Sequence, residues 1–134
     1  MNHLSNAKRF IFNEKLDSGF LQSLYADDYM YIEEIFGTTL KHFDSDVEAV
    51  KMAYEGGNTE DLRKAVHKIK PTFSFVGLPT VQELCKHFEE LCEKSGSTDE
   101  LKQEYKQIVI TLADSKELLE SEHRKLKEFN AASL

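Results

Sequence analysis

Apolar residues recur at the spacing of one helix face along almost the whole chain, and this pattern restricts what the chain can fold into. No segment alternates apolar and polar residues for long, as strands would, and the 134 residues include only two prolines. Amphipathic helices joined by short links bury their apolar faces against one another. The sequence therefore predicts an all-α fold, an antiparallel four-helix bundle with an additional N-terminal helix or segment.

Capping residues mark the boundaries of the first predicted helices. A short helix is expected over 20–25, and Asp27 or Asp28 supplies the start signal of a longer one. Ser45 and Glu48 have the spacing of a capping box. We therefore expect the long apolar stripe that follows Asp28 to divide into two helices near Ser45, or at the residue before it, Asp44.

Turn and cap signals predict the remaining boundaries. The sequence EGGN at 55–58 indicates a turn, after which Asn58 or Thr59 starts the next helix. Capping-box spacing recurs at 80–83 and at 97–100, which predicts the starts of the last two helices.

The length of the chain fits a single domain covering 1–134. We expect the bundle core to cover about residues 16–125. The N-terminal segment 1–15 and the C-terminal tail 130–134 are expected to be peripheral, and the tail to fray. Phe10 and Phe12 would pack on the bundle.

Composition and charge exclude several classes of function. The net charge of −7 argues against nucleic acid as a general partner. The chain has no apolar run that could span a membrane and no secretory signal pattern. Cys85 and Cys92 lie seven residues apart and so share a helix face, as two reduced core thiols would, and two cysteines give no metal signature. We therefore expect a cytoplasmic protein that binds neither nucleic acid nor membrane.

The stretch LRKAVHKIKPTFSFVGL, residues 62–78, combines a histidine with cations and outward-facing apolar residues. At about 100° per residue, its apolar residues form one buried face, and His67 lies opposite that face. The surface side also carries Arg63, Lys64, Lys70, Pro71, Ser74, Gly77 and Leu78, with Lys68 and Phe75 on the flanks. Cations around an exposed imidazole in an otherwise acidic chain fit either a functional surface or an ordinary solvated face, and periodicity alone favours the second.

Pro71 lies inside this helical pattern. It lacks the amide that would bond the His67 carbonyl, and the residue before a proline is biased away from helical geometry, so a helix break is one interpretation. The apolar period continues unchanged to Val76. We therefore predict a continuous helix with a bend at the histidine.

An exposed imidazole of this kind suits phosphoryl transfer. The neutral ring is a nucleophile near neutral pH and can accept a phosphoryl group and release it again. Lys70 lies one helical turn away, where its ammonium can balance phosphate oxygens. Gly77 would leave space for a partner beside His67. Phe75 and Leu78 would offer that partner apolar contact or, as an equal alternative, be buried against the N-terminal segment.

At these residues the chain resembles the histidine-containing phosphotransfer (HPt) family. The family motif is a histidine, an apolar residue two positions later, a lysine three later, a small-residue patch and a glycine ten later; His67, Ile69, Lys70, PTFS and Gly77 match it. The segment LYADDYMYIEEIFGTTLKHF resembles the helix that precedes the motif helix. The resemblance covers about residues 16–125.

The resemblance implies roles for individual residues. His67 would be the phosphorylation site, Lys70 would stabilise the phosphoryl group, and Gly77 would provide steric clearance. The residues expected to contact the partner are Arg63, Lys64, Lys68, Ser74, Phe75 and Leu78.

The resemblance also implies a function, that of a histidine phosphotransfer protein in a multi-step two-component phosphorelay. His67 would accept a phosphoryl group from a receiver-domain aspartate and pass it to another receiver domain. The partners would be response-regulator receiver domains and a hybrid sensor kinase. The receiver would supply Mg²⁺, so the chain would need no cofactor of its own. The sequence has no nucleotide-binding glycine-rich motif or P-loop, which fits a phosphocarrier rather than a kinase. We expect a monomer, because the carrier role needs an open surface around His67.

Two residues depart from the usual family pattern. Pro71 replaces the glycine that more often follows the lysine, although proline also occurs there. Glu89 stands where many members have a glutamine that hydrogen-bonds the histidine. A carboxylate at this position could orient the imidazole of His67, and it would also repel bound phosphate.

Two other functions are compatible with a helical bundle. A metal-binding bundle would carry Glu-x-x-His pairs on facing helices, and the sequence has one such pair, Glu120 and His123, near its C-terminal end. An adaptor bundle without chemistry is the other alternative, and the presence of His67 counts against it. The histidines expected at the surface without a role are His3, His42, His87 and His123.

Overall fold

The computed structural model describes residues 8–133. They form α1 (Ser18–Tyr25), α2 (Tyr29–Glu55), α3 (Thr59–Phe75), α4 (Pro79–Lys94), a 3-10 turn (Thr98–Leu101) and α5 (Lys102–Ser133). The helix α2 packs against α3 and α5, and α4 packs against the same two helices, so the four long helices enclose one core. The predicted all-α four-helix bundle with an additional N-terminal helix is confirmed for this part of the chain.

Each long helix contributes an apolar face to the shared core. Phe36 and Phe43 of α2, Phe73 of α3 and Phe88 of α4 are buried, and the rings of Phe43 and Phe73 meet edge to face with centroids 6.1 Å apart. Burying one such side chain stabilises a fold by about 1.5–3 kcal/mol. The positions that form this core are those of the apolar stripes in the sequence.

Cys85 and Cys92 lie on the buried face of α4, as the sequence predicted, and both thiols are free. Burial raises the pKa of Cys85 to about 12 and the pKa of Cys92 to about 11. A thiol must lose its proton to act as a nucleophile or to bind a metal. Both cysteines are therefore unreactive core residues at neutral pH.

The helix α2 continues through the point where two helices were expected. The hydroxyl of Ser45 donates a hydrogen bond to the His42 carbonyl at 3.1 Å, so it bonds the backbone of its own helix and caps no new one. Asp44 instead pairs with Lys116 of α5 at 2.8 Å. The predicted start at Asp44 or Ser45 is wrong, because capping residues are also tolerated inside a helix that packing holds in place.

The other helix starts agree with the sequence in part. Asp28 caps α2 and Asn58 caps α3, each accepting a backbone N–H through its side chain, as predicted. The predicted cap at Thr80 is wrong, since α4 begins at Pro79, whose fixed φ suits the first helical position, and Leu78 before it makes no side-chain cap bond. The segment at 97–100 lies at the 3-10 turn and not at the start of α5.

Both ends of the described chain pack onto the bundle. The ring of Phe10 contacts that of Phe129, with centroids 5.6 Å apart. Asn130 is buried and donates hydrogen bonds to the Tyr29 carbonyl and to Glu33 of α2, at 3.0 and 2.8 Å. These contacts tie the C-terminal end of α5 to α2, and the helix continues to residue 133.

His123 of α5 was expected at the surface and is half-buried instead. It faces Gly37 of α2, where an added methyl group would lie 3.1 Å from its Nε2 atom. Burial lowers the pKa of His123, an effect that Glu33 opposes and Lys127 reinforces. The folded protein therefore favours the neutral ring.

We predict that His123 makes the protein less stable as the pH falls from about 7.5 to about 5.5. The unfolded chain takes up the proton near the ordinary histidine pKa of about 6.5, whereas the folded chain takes it up only at lower pH, so protonation favours unfolding. Urea unfolding should show a weaker pH dependence for His123→Gln than for the wild type. His87→Gln alters an exposed histidine and is the control; the same flattening in both variants would contradict the prediction.

Candidate functional site

His67 lies near the middle of α3, on the side turned away from the core. The helix α3 is continuous through Pro71, as predicted, because packing of its apolar face continues on both sides of the proline. The side chain of His67 is 63% exposed. The imidazole is therefore accessible from outside, in agreement with the helical periodicity.

Glu89 of α4 holds one side of this imidazole. Its side chain is only 8% exposed, and its Oε1 atom lies 2.7 Å from Nδ1 of His67. An ionised carboxylate can only accept hydrogen bonds, so Nδ1 is the ring nitrogen that carries the proton. The other nitrogen, Nε2, then keeps its lone pair for reaction.

Lys70 contacts the other oxygen of the same carboxylate. Its Nζ atom lies 2.7 Å from Oε2 of Glu89, and its side chain is 21% exposed. The contact is an ion pair that lacks hydrogen-bond geometry, and Oε2 accepts no hydrogen bond from the residues described here. The helical pattern placed Lys70 on the open surface; this is wrong, because the side chain turns towards α4. One buried carboxylate thus connects His67 and Lys70.

The other basic residues predicted for this surface lie on α3 within four residues of the histidine, and two of them are paired. Arg63 Nε lies 2.5 Å from a carboxylate oxygen of Glu60, and Lys68 Nζ lies 3.4 Å from one of Asp46 in α2. Lys64 is exposed. One partner of each pair, Glu60 and Lys68, is solvent-exposed, and because such pairs are weak, these cations can exchange their partners for an incoming anion.

Gly77 does not lie beside His67. The helix ends at Phe75, and Gly77 is buried in the link to α4 with a φ of 78°. A methyl group on it would lie 3.0 Å from both Cγ and Cδ1 of Leu21 in α1, and its carbonyl accepts the Asp17 N–H at 2.8 Å. The predicted position of Gly77 on the histidine face is wrong, and the space that this glycine leaves is filled by α1.

The last residues of the predicted surface differ from one another. Leu78 is buried in the turn before α4, so its predicted exposure is wrong. Ser74 is half-buried and donates a hydrogen bond to the side chain of Gln82 in α4. Phe75 is 52% exposed, as predicted, and its carbonyl accepts a hydrogen bond from the Tyr25 hydroxyl at 2.9 Å.

An apolar groove that the sequence did not predict lies beside Phe75. It has a volume of about 510 Å³. Its walls come from α1, α2 and α3, and the residues that line it are Leu24, Tyr25, Tyr31, Glu34, Ile35, Thr38, Thr39 and Phe75. The groove is about 12 Å from His67 along α3, since Phe75 follows the histidine by eight residues. The sequence feature that could have indicated this groove is the position of Leu24 and Tyr31 outside the buried apolar stripes.

Residues 8–133 contain no side-chain cluster that fits the alternative of a metal-binding bundle. There, no group of three or more His, Cys, Asp or Glu side chains is placed to hold a metal ion. His42 and His87 are exposed, as expected, and His3 lies outside the described residues. Over the same part of the chain, none of the helices combines the length and the apolar character needed to cross a membrane.

The comparisons with known proteins assign the family. The Hpt domain family matches residues 34–126. The fold is similar to the HPt domain of a sensor hybrid histidine kinase from Shewanella, with a TM-score of 0.71, 16% identity, and coverage of 83% of this chain and 95% of that one. It is also similar to histidine-containing phosphotransfer protein B from Pseudomonas aeruginosa, with a TM-score of 0.68, 21% identity, and coverage of 84% and 96%. No curated protein sequence matches the chain.

The chain therefore belongs to the Hpt domain family. It is a histidine phosphotransfer protein of a phosphorelay. Members of this family interact with response-regulator receiver domains and with kinases of two-component systems.

We predict that Lys70→Ala lowers the free energy of unfolding by about 1–3 kcal/mol, because it leaves Oε2 of Glu89 buried without a counter-charge. In a Glu89→Gln background that charge is absent, and the same substitution should cost less than about 1 kcal/mol. Urea unfolding of the two single variants, the double variant and the wild type measures this coupling. Simple additivity of the two substitutions would contradict the ion pair.

We predict that Gly77→Ala destabilises the fold more than Gly57→Ala, by at least about 1 kcal/mol. Both glycines have a positive φ, 78° and 72°, so both variants bear a similar backbone strain. An added methyl group meets Leu21 only at Gly77, whereas at Gly57 it meets nothing within 4 Å. Urea unfolding compares the two variants, and equal losses of stability would show that α1 does not require the glycine.

Proposed function

We propose that His67 is the phosphorylated residue of this protein, accepting a phosphoryl group from a receiver-domain aspartate and passing it to another receiver domain. The observation that carries the proposal is the contact of 2.7 Å between Nδ1 of His67 and buried Glu89. It fixes the ring proton on one nitrogen of an exposed imidazole. Nε2 is then the nucleophile, and no rearrangement of protons has to precede its attack.

The proposed transfer exchanges one bond to phosphorus for another. The Nε2 lone pair attacks the phosphorus of the receiver's phosphoaspartate and an N–P bond forms. The P–O bond to the aspartate breaks, and its electron pair stays on the aspartate carboxylate. The proton on Nδ1 remains hydrogen-bonded to Glu89. The reverse exchange with a second receiver returns His67 to its free state.

Cations of α3 support this chemistry in different ways. Lys70 is proposed to stabilise the phosphoryl oxygens, since its ammonium shares the carboxylate that holds the imidazole. Arg63, Lys64 and Lys68 complement the acidic pocket of a receiver domain and speed the encounter. We propose that the receiver supplies the Mg²⁺ and that this chain carries no cofactor of its own.

The apolar groove at Phe75 is the proposed contact for the body of the receiver domain. Phe75 in its wall belongs to the same helix as His67, and the exposed aromatic residues of the groove suit a protein partner. Ser74, bonded to Gln82, holds the end of α3 against α4 beside this groove. The protein acts as a monomer in this scheme, since self-association through the same face would cover His67.

A cytoplasmic location is part of the proposal. The two free thiols in the core, Cys85 and Cys92, suit a reducing compartment.

We predict that the wild type takes up phosphate from a phosphorylated receiver domain and that His67→Gln does not. The receiver is phosphorylated with labelled acetyl phosphate and Mg²⁺, separated from the reagent and mixed with each protein. The label on the wild type should be labile in acid and stable in alkali, as expected of phosphohistidine. His87→Gln should be labelled like the wild type. Label on the His67→Gln variant would contradict the proposal. So would the absence of label on the wild type with receivers from the same cell, a result that would favour an adaptor without chemistry.

A further inference from the structure

Glu89 has a charge that the hydrogen bond to His67 does not require, since a neutral side chain can also accept the Nδ1 proton. We propose that this charge makes phosphorylated His67 a short-lived and strong phosphoryl donor, which biases the flow of phosphoryl groups from this protein to the receiver. The proposal rests on the proposed function of His67.

The charges around the imidazole give the first reason. Before transfer, the carboxylate of Glu89 and the ammonium of Lys70 cancel, and the neutral ring of His67 adds nothing. A phosphoryl group carries up to two negative charges and the ring that keeps its Nδ1 proton becomes a cation, so phosphorylation makes this cluster more negative by up to one charge. With glutamine at position 89 the cluster would start with one net positive charge. The phosphorylated state is therefore less stable with glutamate than it would be with glutamine.

Burial makes this charge effective. The side chain of Glu89 is 8% exposed, and its Oε1 atom lies 2.7 Å from the ring that receives the phosphoryl group. Solvent screens a buried charge much less than one at the surface. Glu90, the next residue of α4, is exposed and has little influence on the ring by comparison.

Lys70 cannot neutralise both anions. Its Nζ atom lies 2.7 Å from Oε2 of Glu89, and this oxygen accepts no hydrogen bond within residues 8–133. If the ammonium moved fully to the phosphoryl group, a buried carboxylate would lose its counter-charge, which is costly. Arg63 also lies within the electrostatic influence of Glu89, and it can serve the phosphoryl group only by giving up its bond to Glu60 at 2.5 Å. Glu89 therefore competes with the phosphoryl group for positive charge.

The proton on Nδ1 gives a second reason. Attack by Nε2 leaves the ring with a phosphoryl group on one nitrogen and a proton on the other, so the ring is a cation. When the phosphoryl group departs, the electron pair of the N–P bond returns to the ring, which becomes neutral imidazole again. An anionic acceptor holds the Nδ1 proton more firmly than a neutral amide does. Glu89 thus keeps the phosphorylated ring in the form that releases its phosphoryl group most readily.

Phosphoramidate tests the proposal without a receiver domain. Nε2 attacks the phosphorus of this reagent, the bond from phosphorus to its nitrogen breaks, and ammonia leaves with the electron pair. The wild type and Glu89→Gln are phosphorylated in this way, freed of reagent, and followed by phosphorus NMR at neutral pH. The half-life of the phosphohistidine in Glu89→Gln should be about tenfold longer than in the wild type, which corresponds to one unmatched charge at reduced screening.

Glu90→Gln is the matched control, because it removes an exposed carboxylate from the same helix. Its phosphohistidine should have the half-life of the wild type within about twofold. Glu89→Met, which removes the same charge without an amide group, is the second variant and should also lengthen the half-life. Equal or shorter half-lives in folded Glu89→Gln and Glu89→Met would overturn the proposal.

Exchange with a receiver domain and Mg²⁺ measures the bias itself. At equilibrium, the ratio of phosphohistidine to phosphoaspartate should rise about tenfold in Glu89→Gln and stay unchanged in Glu90→Gln. An unchanged ratio in Glu89→Gln would overturn the proposed bias. If the wild type took up phosphate neither from phosphoramidate nor from the receiver, the proposed role of His67 would be wrong. If it took up phosphate and the Glu89 variants had the same half-life and the same equilibrium ratio, only the proposed role of Glu89 would be wrong.

Discussion

The carboxylate of Glu89 joins α3 to α4 at the place where the phosphoryl group is exchanged. One of its oxygens accepts the Nδ1 proton of His67 and the other pairs with Lys70, both at 2.7 Å. Because a buried carboxylate is stable only with such partners, the packing of the two helices and the orientation of the imidazole depend on each other. The rigidity of the bundle core thereby reaches an exposed side chain whose hydrogen bond within residues 8–133 is the one to Glu89.

The apolar groove at the end of α3 is shaped by the link that follows this helix. The absence of a side chain at Gly77 lets Leu21 approach, and this contact seats α1 against the end of the bundle. Tyr25 of α1 then bonds the Phe75 carbonyl and forms a wall of the apolar groove. A buried glycine thus shapes the proposed docking surface from a distance, without contributing to it.

The sequence predicted those features that depend on a single helix. Exposure of His67 and continuity through Pro71 follow from the period of apolar residues within α3, and both were correct. Gly77 and Leu78 were misplaced because the helical period was extended beyond the last residue of the helix, where a positive φ redirects the chain. The partner of Lys70 and the groove depend on α4 and α1, which only the tertiary fold brings to α3.

Glutamate at position 89 does not favour the stability of the fold, but it favours the transfer of a phosphoryl group. A glutamine could hold the imidazole and link α3 to α4 without burying a charge, so packing alone gives no reason for the carboxylate. What the carboxylate adds is a fixed proton on Nδ1, a more nucleophilic Nε2, and repulsion of the phosphoryl group once it has arrived. The more nucleophilic Nε2 speeds acceptance, and the fixed proton and the repulsion speed release. A protein that stores a signal needs a stable phosphohistidine, whereas one that relays it gains from an unstable one, and a buried negative charge beside His67 favours the relay.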